Sequence, residues 1–152
     1  MDISVAGEAD LDDLLALMRS YCEFYEVDPS DEDLLALSRA LIADPEREGV
    51  QLLARGADGP ALGFATVFWS WSTTQAARIG VMNDLFVAEA ARGAGGGRVG
   101  EALIAACVER CRAHGAVSLT WQTALDNARA QAVYDRIGAR RSQWLDYDLP
   151  VA

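Results

Sequence analysis

A chain of 152 residues, 51% of them hydrophobic and 24% charged, is sized for one domain that buries its own core without disulfide or metal staples. Its net charge of −10 excludes nucleic acid as a partner, because gripping a polyanion needs a basic surface to displace counterions. No apolar run approaches a membrane span, and the opening "MDISVAGEADLDD" has neither the basic flank nor the apolar stretch of a secretory leader, so a cytoplasmic protein with no membrane partner is expected. The charge is divided unevenly. Residues 1–48 hold fourteen carboxylates against three arginines, and residues 88–148 hold seven against eight, which suits one end to a cation and the other to an anionic ligand.

In chain order, Leu11, Leu14, Leu15, Met18, Tyr21, Cys22 and Tyr25 recur at helical spacing and predict a helix over 9–25. "VDPSDED" breaks the pattern, and Ser30 with Asp33 suits the capped start of a second helix running to about Ile42. "VQLLAR" and "ALGFATVFW" read as two strands joined by a turn at Asp58-Gly59, "SWSTTQAA" as a polar loop, and "RIGVMNDLFV" as a third strand. A glycine-rich stretch follows, then a helix from about Arg98 to His114 with Val99, Leu103, Cys107 and Cys111 on one face. "AVSLTWQT" is a further strand. "DNARAQAVYDRIG" is a helix capped by Asp126 or Asn127 and stopped by Gly138, and "ARRSQWLDYDL" is a closing strand. The order ααβββαβαβ, without repeat or linker, implies a single α+β sheet domain over residues 1–152. Trp121 and Trp144 are expected in its core. Cys22, Cys107 and Cys111 read as small buried hydrophobes, and no metal site is expected, since the Cys107, Cys111 and His114 group lacks a second ligand pair.

"ARGAGGGRVGEALI", residues 91–104, sets five glycines directly before a helix. Glycine loses more freedom on ordering than any other residue, so a fold that keeps five of them there has a use for bare peptide groups. Unpaired N–H groups and the positive end of a helix dipole suit an anion, while the alternative is a flexible surface loop. A Walker loop is ruled out because the chain has no lysine. The dinucleotide fingerprint matches literally at Gly95, Gly97 and Gly100, but several residues separate Val87 from Gly93, and the next strand ends "TWQT" without a carboxylate.

A third arrangement fits. "NDLFVAEAARGAGGG" resembles the strand and pyrophosphate loop of the GCN5-related N-acetyltransferases (GNAT), whose Arg/Gln-x-x-Gly-x-Gly/Ala signature reads here Arg92-Gly93-Ala94-Gly95-Gly96-Gly97. "NARAQAVYDRIGA" resembles the family's later helix motif at Asn127, Ala130, Tyr134 and Gly138, and the element order agrees over most of the chain. Counting back from Leu103 would instead end the signature at Gly100, as though the loop were three residues longer than usual. The resemblance implies a mixed, mostly antiparallel central sheet flanked by helices. It implies acetyl-CoA as donor, with the pyrophosphate on Arg92, Gly93, Ala94, Gly95, Gly96, Gly97, Arg98, Val99 and Gly100, and with contacts from Asn127 and Ala130. The pantetheine arm would run along the strand edge at Leu85, Phe86 and Val87, where this strand parts from the next. A homodimer is common among such proteins.

With acetyl transfer implied, Tyr134 is the general acid expected to return a proton to the released thiolate, since a phenol with a pKa of about 10 is protonated at neutral pH. Its alternative is a packing aromatic beside Val133 and Ile137, and that of Asn127 is a helix cap. Asp84, a carboxylate in an otherwise apolar strand, is the candidate base, unless it pairs with Arg78 or a backbone donor. Tyr21, Glu23, Tyr25 and Glu26 suit an acidic, aromatic rim for a cationic small-molecule amine, or simply a solvated helix face. Trp69 and Trp71 are placed on the wall of the same pocket. None of the cysteines has a base in a nucleophile setting, so direct attack is expected rather than an acetyl-enzyme. A protein N-terminal or side-chain acetyltransferase and a non-catalytic acyl-CoA-binding module are the alternatives.

Overall fold

Successive strand-forming runs between residues 49 and 87 pair as an antiparallel meander, and helices cover its two faces. The structure, a computed structural model, describes every residue except Asp58, Ala94 and Gly95, and describes Gly96 and Gly97 as helical backbone alone. The chain divides into two compact units, Met1–Gln122 and Thr123–Ala152. In the first, five strands lie in the order β1 (Asp2–Val5), β2 (Gly49–Arg55), β3 (Ala61–Ser72), β4 (Ala77–Val87) and β5 (Leu119–Thr120). Neighbours from β1 to β4 are antiparallel, and β5 returns parallel to β4 after a crossover through helix α3 (Gly96–His114). The α+β class and mostly antiparallel sheet match the expectation.

Side-chain alternation decides which helix meets which face. Leu53, Phe64 and Phe86 point to the face covered by α1 (Leu11–Phe24), whose Leu11, Leu14, Leu17 and Met18 pack into the same cluster. Each such side chain contributes about 1.5–3 kcal/mol when fully buried. α2 (Asp31–Ala43) begins where Ser30 Oγ accepts the Asp33 N–H at 3.1 Å, the start its capping residues predict. The opposite face belongs to α3, whose Val99, Leu103, Ile104, Cys107 and Cys111 are buried. A Cβ added at Gly80 of β4 would lie 2.5 Å from Cys111 Sγ, so α3 comes this close only because that strand position has no side chain. All three cysteines are buried and free, as small hydrophobes should be.

Several boundaries differ from the expectation. β1 was not foreseen. Four residues with two apolar ones give little period, and the strand exists because its backbone pairs with β2 from Asp2↔Arg55 to Val5↔Leu52. Half of the stretch expected as a polar loop at 70–77 is strand, paired as far as Ser72↔Ala77, leaving a turn at 73–76. The Asp58-Gly59 turn falls partly on Asp58, which lies outside the described residues. α3 starts at Gly96 rather than Arg98, so Arg98, Val99 and Gly100 are helical. Gly100 is buried, and a Cβ there would sit 3.9 Å from Val87 Cγ2, so it takes a core-facing helix position and not a place in a lengthened loop.

In the second unit, α4 (Ala128–Arg136) starts at Asn127, whose Oδ1 accepts the Ala130 N–H at 3.2 Å. It stops where Gly138 takes φ +82°, a conformation open to glycine. The closing strand is a correction: residues 139–152 contain no helix or strand, and Trp144, expected in the core, is 85% exposed. Arg141 pairs with Asp135 at 2.9 Å and holds its carboxyl below the usual range.

Candidate active site

The site is built where β4 breaks the regularity of the sheet. Thr66 opposes Asp84 and Val67 opposes Met82, so Asn83 is an extra residue, a bulge that reverses the facing of every later side chain in the strand. Gly80 faces α3, and without the bulge Asp84 would face it too. With the bulge, Asp84 turns with Phe86 toward α1. There the Tyr21 hydroxyl lies between its carboxyl and the Asn83 carbonyl, 3.4 Å away, with one proton to share between the two acceptors, and packs its ring edge-on to Phe64 and Phe86. Asn83 Nδ2 donates to Asp84 Oδ1 at 2.9 Å.

Loss of hydration is the largest influence on Asp84 and raises its pKa, while hydrogen bonds from Thr66, Tyr21 and Asn83 pull it back. Tyr21 is pushed up by burial first, then by the neighbouring Asp84 charge and by Tyr25, so its phenol stays protonated and available as a donor. Arg78, one alternative partner for Asp84, instead lies over the Trp71 ring at 5.0 Å.

The backbone of β4 has a second use. β5 pairs only with Gly80 and Val81, so among the described residues no strand flanks the stretch from Met82 to Val87 on that edge. The Ala88 N–H donates to the Leu62 carbonyl on the β3 side, and alternation then turns the peptide groups of Leu85 and Val87 to the open edge, with those of Phe86 toward β3. Arg92 folds back to this edge, its Nε donating to the Val87 carbonyl at 2.7 Å and its guanidinium lying 5.0 Å over Phe86. It braces the strand end from which the glycine stretch departs. Ala94 and Gly95 lie outside the described residues, and a Cβ at Gly93 would meet nothing within 4 Å among those that are described, so no contact with them demands glycine there.

Of the residues singled out from the sequence, Tyr21, Tyr25 and Asp84 come together, with Tyr25 edge-on to Tyr21 at 5.0 Å. Glu23 and Glu26 are exposed near the end of α1. Trp69 and Trp71, placed with them from the sequence, make other contacts. Trp69 Nε1 donates to the Pro45 carbonyl at 2.8 Å and its ring stacks on His114, while Trp71 is 69% exposed beside the β3–β4 turn. Tyr134 is partly buried on α4, and Asn127 serves as the cap of that helix. Sequence reasoning missed Asn83, Thr66 and Gln51. The last two were visible only as single polar residues within apolar strand runs.

The five-stranded, mostly antiparallel sheet with a bulged fourth strand, an open edge and a following helix agrees with the architecture that the sequence resemblance implies. Residues 13–139 match the acetyltransferase (GNAT) family, and the chain belongs to it. It is 32% identical over 139 residues to YhfO of Bacillus subtilis strain 168, described as an uncharacterized N-acetyltransferase, covering 91% of this chain and 89% of the relative. Among solved structures, a probable acetyltransferase superposes with a TM-score of 0.83 at 30% identity, covering 100% of this chain and 99% of that one. An aminoglycoside antibiotic 6'-N-acetyltransferase from Acinetobacter haemolyticus shares the fold, with a TM-score of 0.78 at 22% identity, covering 100% of this chain and 99% of the other. The protein is accordingly an N-acetyltransferase of this family. Among the described residues no helix is long and apolar enough to cross a membrane.

Proposed function

We propose that the protein transfers acetyl from acetyl-CoA to a primary amine of a small molecule by direct attack, with Asp84 as general base and Tyr134 as general acid. One observation carries the reading: an open strand edge at Leu85 and Val87 lies in the same strand as a hydrogen-bonded carboxylate whose pKa is raised. Outward peptide groups suit an amide-bearing pantetheine arm, which would add to the sheet as a strand does. Glycines before α3 suit a pyrophosphate, because peptide N–H groups and the helix dipole supply attraction that a protein of net charge −10 lacks in bulk. The family match runs across both compact units, which supports residues 1–152 as one acetyltransferase domain.

Acetyl-CoA supplies a thioester whose carbonyl carbon accepts the amine. Asp84 takes the proton that the amine nitrogen gives up as its bond to that carbon forms. Tyr134 returns a proton to the sulfur as the carbon–sulfur bond breaks, so that a neutral thiol leaves. The aromatic and acidic residues at the end of α1, Tyr21, Tyr25, Glu23 and Glu26, would draw in the protonated amine, whose deprotonation then needs the base. Burial pushes the Cys107 thiol up to about 12, which leaves it un-ionised near neutral pH and supports direct attack over an acetyl-enzyme.

The test is an amine screen with acetyl-CoA followed by thiol release, repeated with Tyr134→Phe. A primary amine should give turnover that falls about 10²–10⁴-fold in the variant while acetyl-CoA affinity stays near that of the parent. Unchanged turnover would remove Tyr134 from the reaction.

A further inference from the structure

Gln51, Thr66 and Asp84 stand side by side on β2, β3 and β4, because Gln51 registers with Thr66 and Thr66 with Asp84. All three face α1. Gln51 is 3% exposed and Thr66 is 0% exposed, in strands whose other buried side chains are apolar. Burying an amide and a hydroxyl in such a layer is costly unless every group finds a partner.

The partners set the direction of each proton. Met18 Sδ is only an acceptor, so the Gln51 amide must present its nitrogen to it, at 3.5 Å. The same Nε2 then donates its other proton to Thr66 Oγ1 at 3.2 Å. Ser38 Oγ also donates to Met18 Sδ, at 3.8 Å, which holds the thioether under α2. Having accepted from Gln51, the Thr66 hydroxyl has one proton to give, and the register sets the Asp84 carboxyl beside it on β4, on the side away from Gln51, as the group to receive it.

We infer that Thr66, oriented by Gln51, is a positioning residue that aims the Asp84 carboxylate. The inference rests on the reading of Asp84 as the base. A carboxylate half-removed from water needs donors to remain charged near neutral pH, and a hydroxyl fixed from behind costs no reorganisation when the charge forms. The groups facing Asp84 are Tyr21 and, through it, Tyr25 from α1, Asn83 from β4 and Thr66 from β3, with Gln51 next in line on β2. Thr66 and Gln51 can orient the carboxylate without touching the amine.

Two readouts on Thr66→Val, Thr66→Ser and Gln51→Leu test this: the titration of the Asp84 carboxyl carbon by NMR in the free protein, and the pH profile of kcat/KM. Removing one hydrogen bond to a charged group should raise the Asp84 titration by about one pH unit in Thr66→Val. The acid limb of the profile should move up equally, with a near-parental plateau above it, and Thr66→Ser should restore both. Gln51→Leu should move both in the same direction by less. If the carboxyl titrates as in the parent in Thr66→Val, the inference is overturned whatever the kinetics. If the carboxyl shifts while the acid limb stays put, the role of Thr66 stands and Asp84 is not the base.

Discussion

A carboxylate set among Thr66, Tyr21 and Asn83 gives up part of its hydration, and the hydrogen bonds it gains return only some of the cost. Because its folded pKa lies above the unfolded value of about 3.9, the native state binds the extra proton between the two values and stability falls as pH rises through that window. Asp84→Asn should therefore be more stable than the parent at neutral pH, with the advantage shrinking to nothing near pH 4, while turnover falls about 10²–10⁴-fold. Melting temperatures across that range check it, and a variant less stable at pH 7 would contradict the assignment. Asp84 was legible from sequence as a carboxylate out of place in an apolar strand. Gln51 and Thr66 were not, because one polar residue in an apolar run acquires meaning only when three strands come into register. The bulge at Asn83 was equally hidden, since it depends on pairing with β3 and not on local composition.

Elements meet through a few defined contacts. At the start of α1, Asp10 accepts the Gly7 N–H at 2.9 Å and an Arg55 Nη2–H at 2.9 Å, and Asp13 accepts from Arg55 Nη1 at 2.7 Å, tying the end of β2 to the helix. The Gly7 N–H first, and then Arg55, hold the Asp10 carboxyl below the usual range. A depressed acid contributes stability above its unfolded pKa that is lost as pH falls through the folded one. Arg55→Met should therefore lower the melting temperature at pH 7, with the difference from the parent narrowing as Asp10 is protonated. An unchanged difference at low pH would assign the loss to packing of the arginine stem. Helices were the more legible elements, since Ser30, Asn127 and Gly138 act locally as caps and stops. Strands were less so. β1 exists by pairing alone, whereas "ARRSQWLDYDL" has strand-like composition and lies in no strand, because alternation gives a segment the capacity to pair but not a partner.

For the whole molecule, two separated motifs in the right order were enough to read the family, and the sheet of the first unit agrees in class and in the parting of β4 from β5. The number of residues joining in that parting was not readable, because β5 pairs at two positions of an eight-residue run that the sequence presents uniformly. Acetyl transfer as proposed requires that open edge to receive the donor. Amide hydrogen exchange at Leu85 and Val87, followed as coenzyme A is titrated in, tests it most directly. Both amides should slow markedly on addition while Phe86, already turned toward β3, changes little. Exchange at Leu85 and Val87 that is indifferent to saturating coenzyme A would contradict the account.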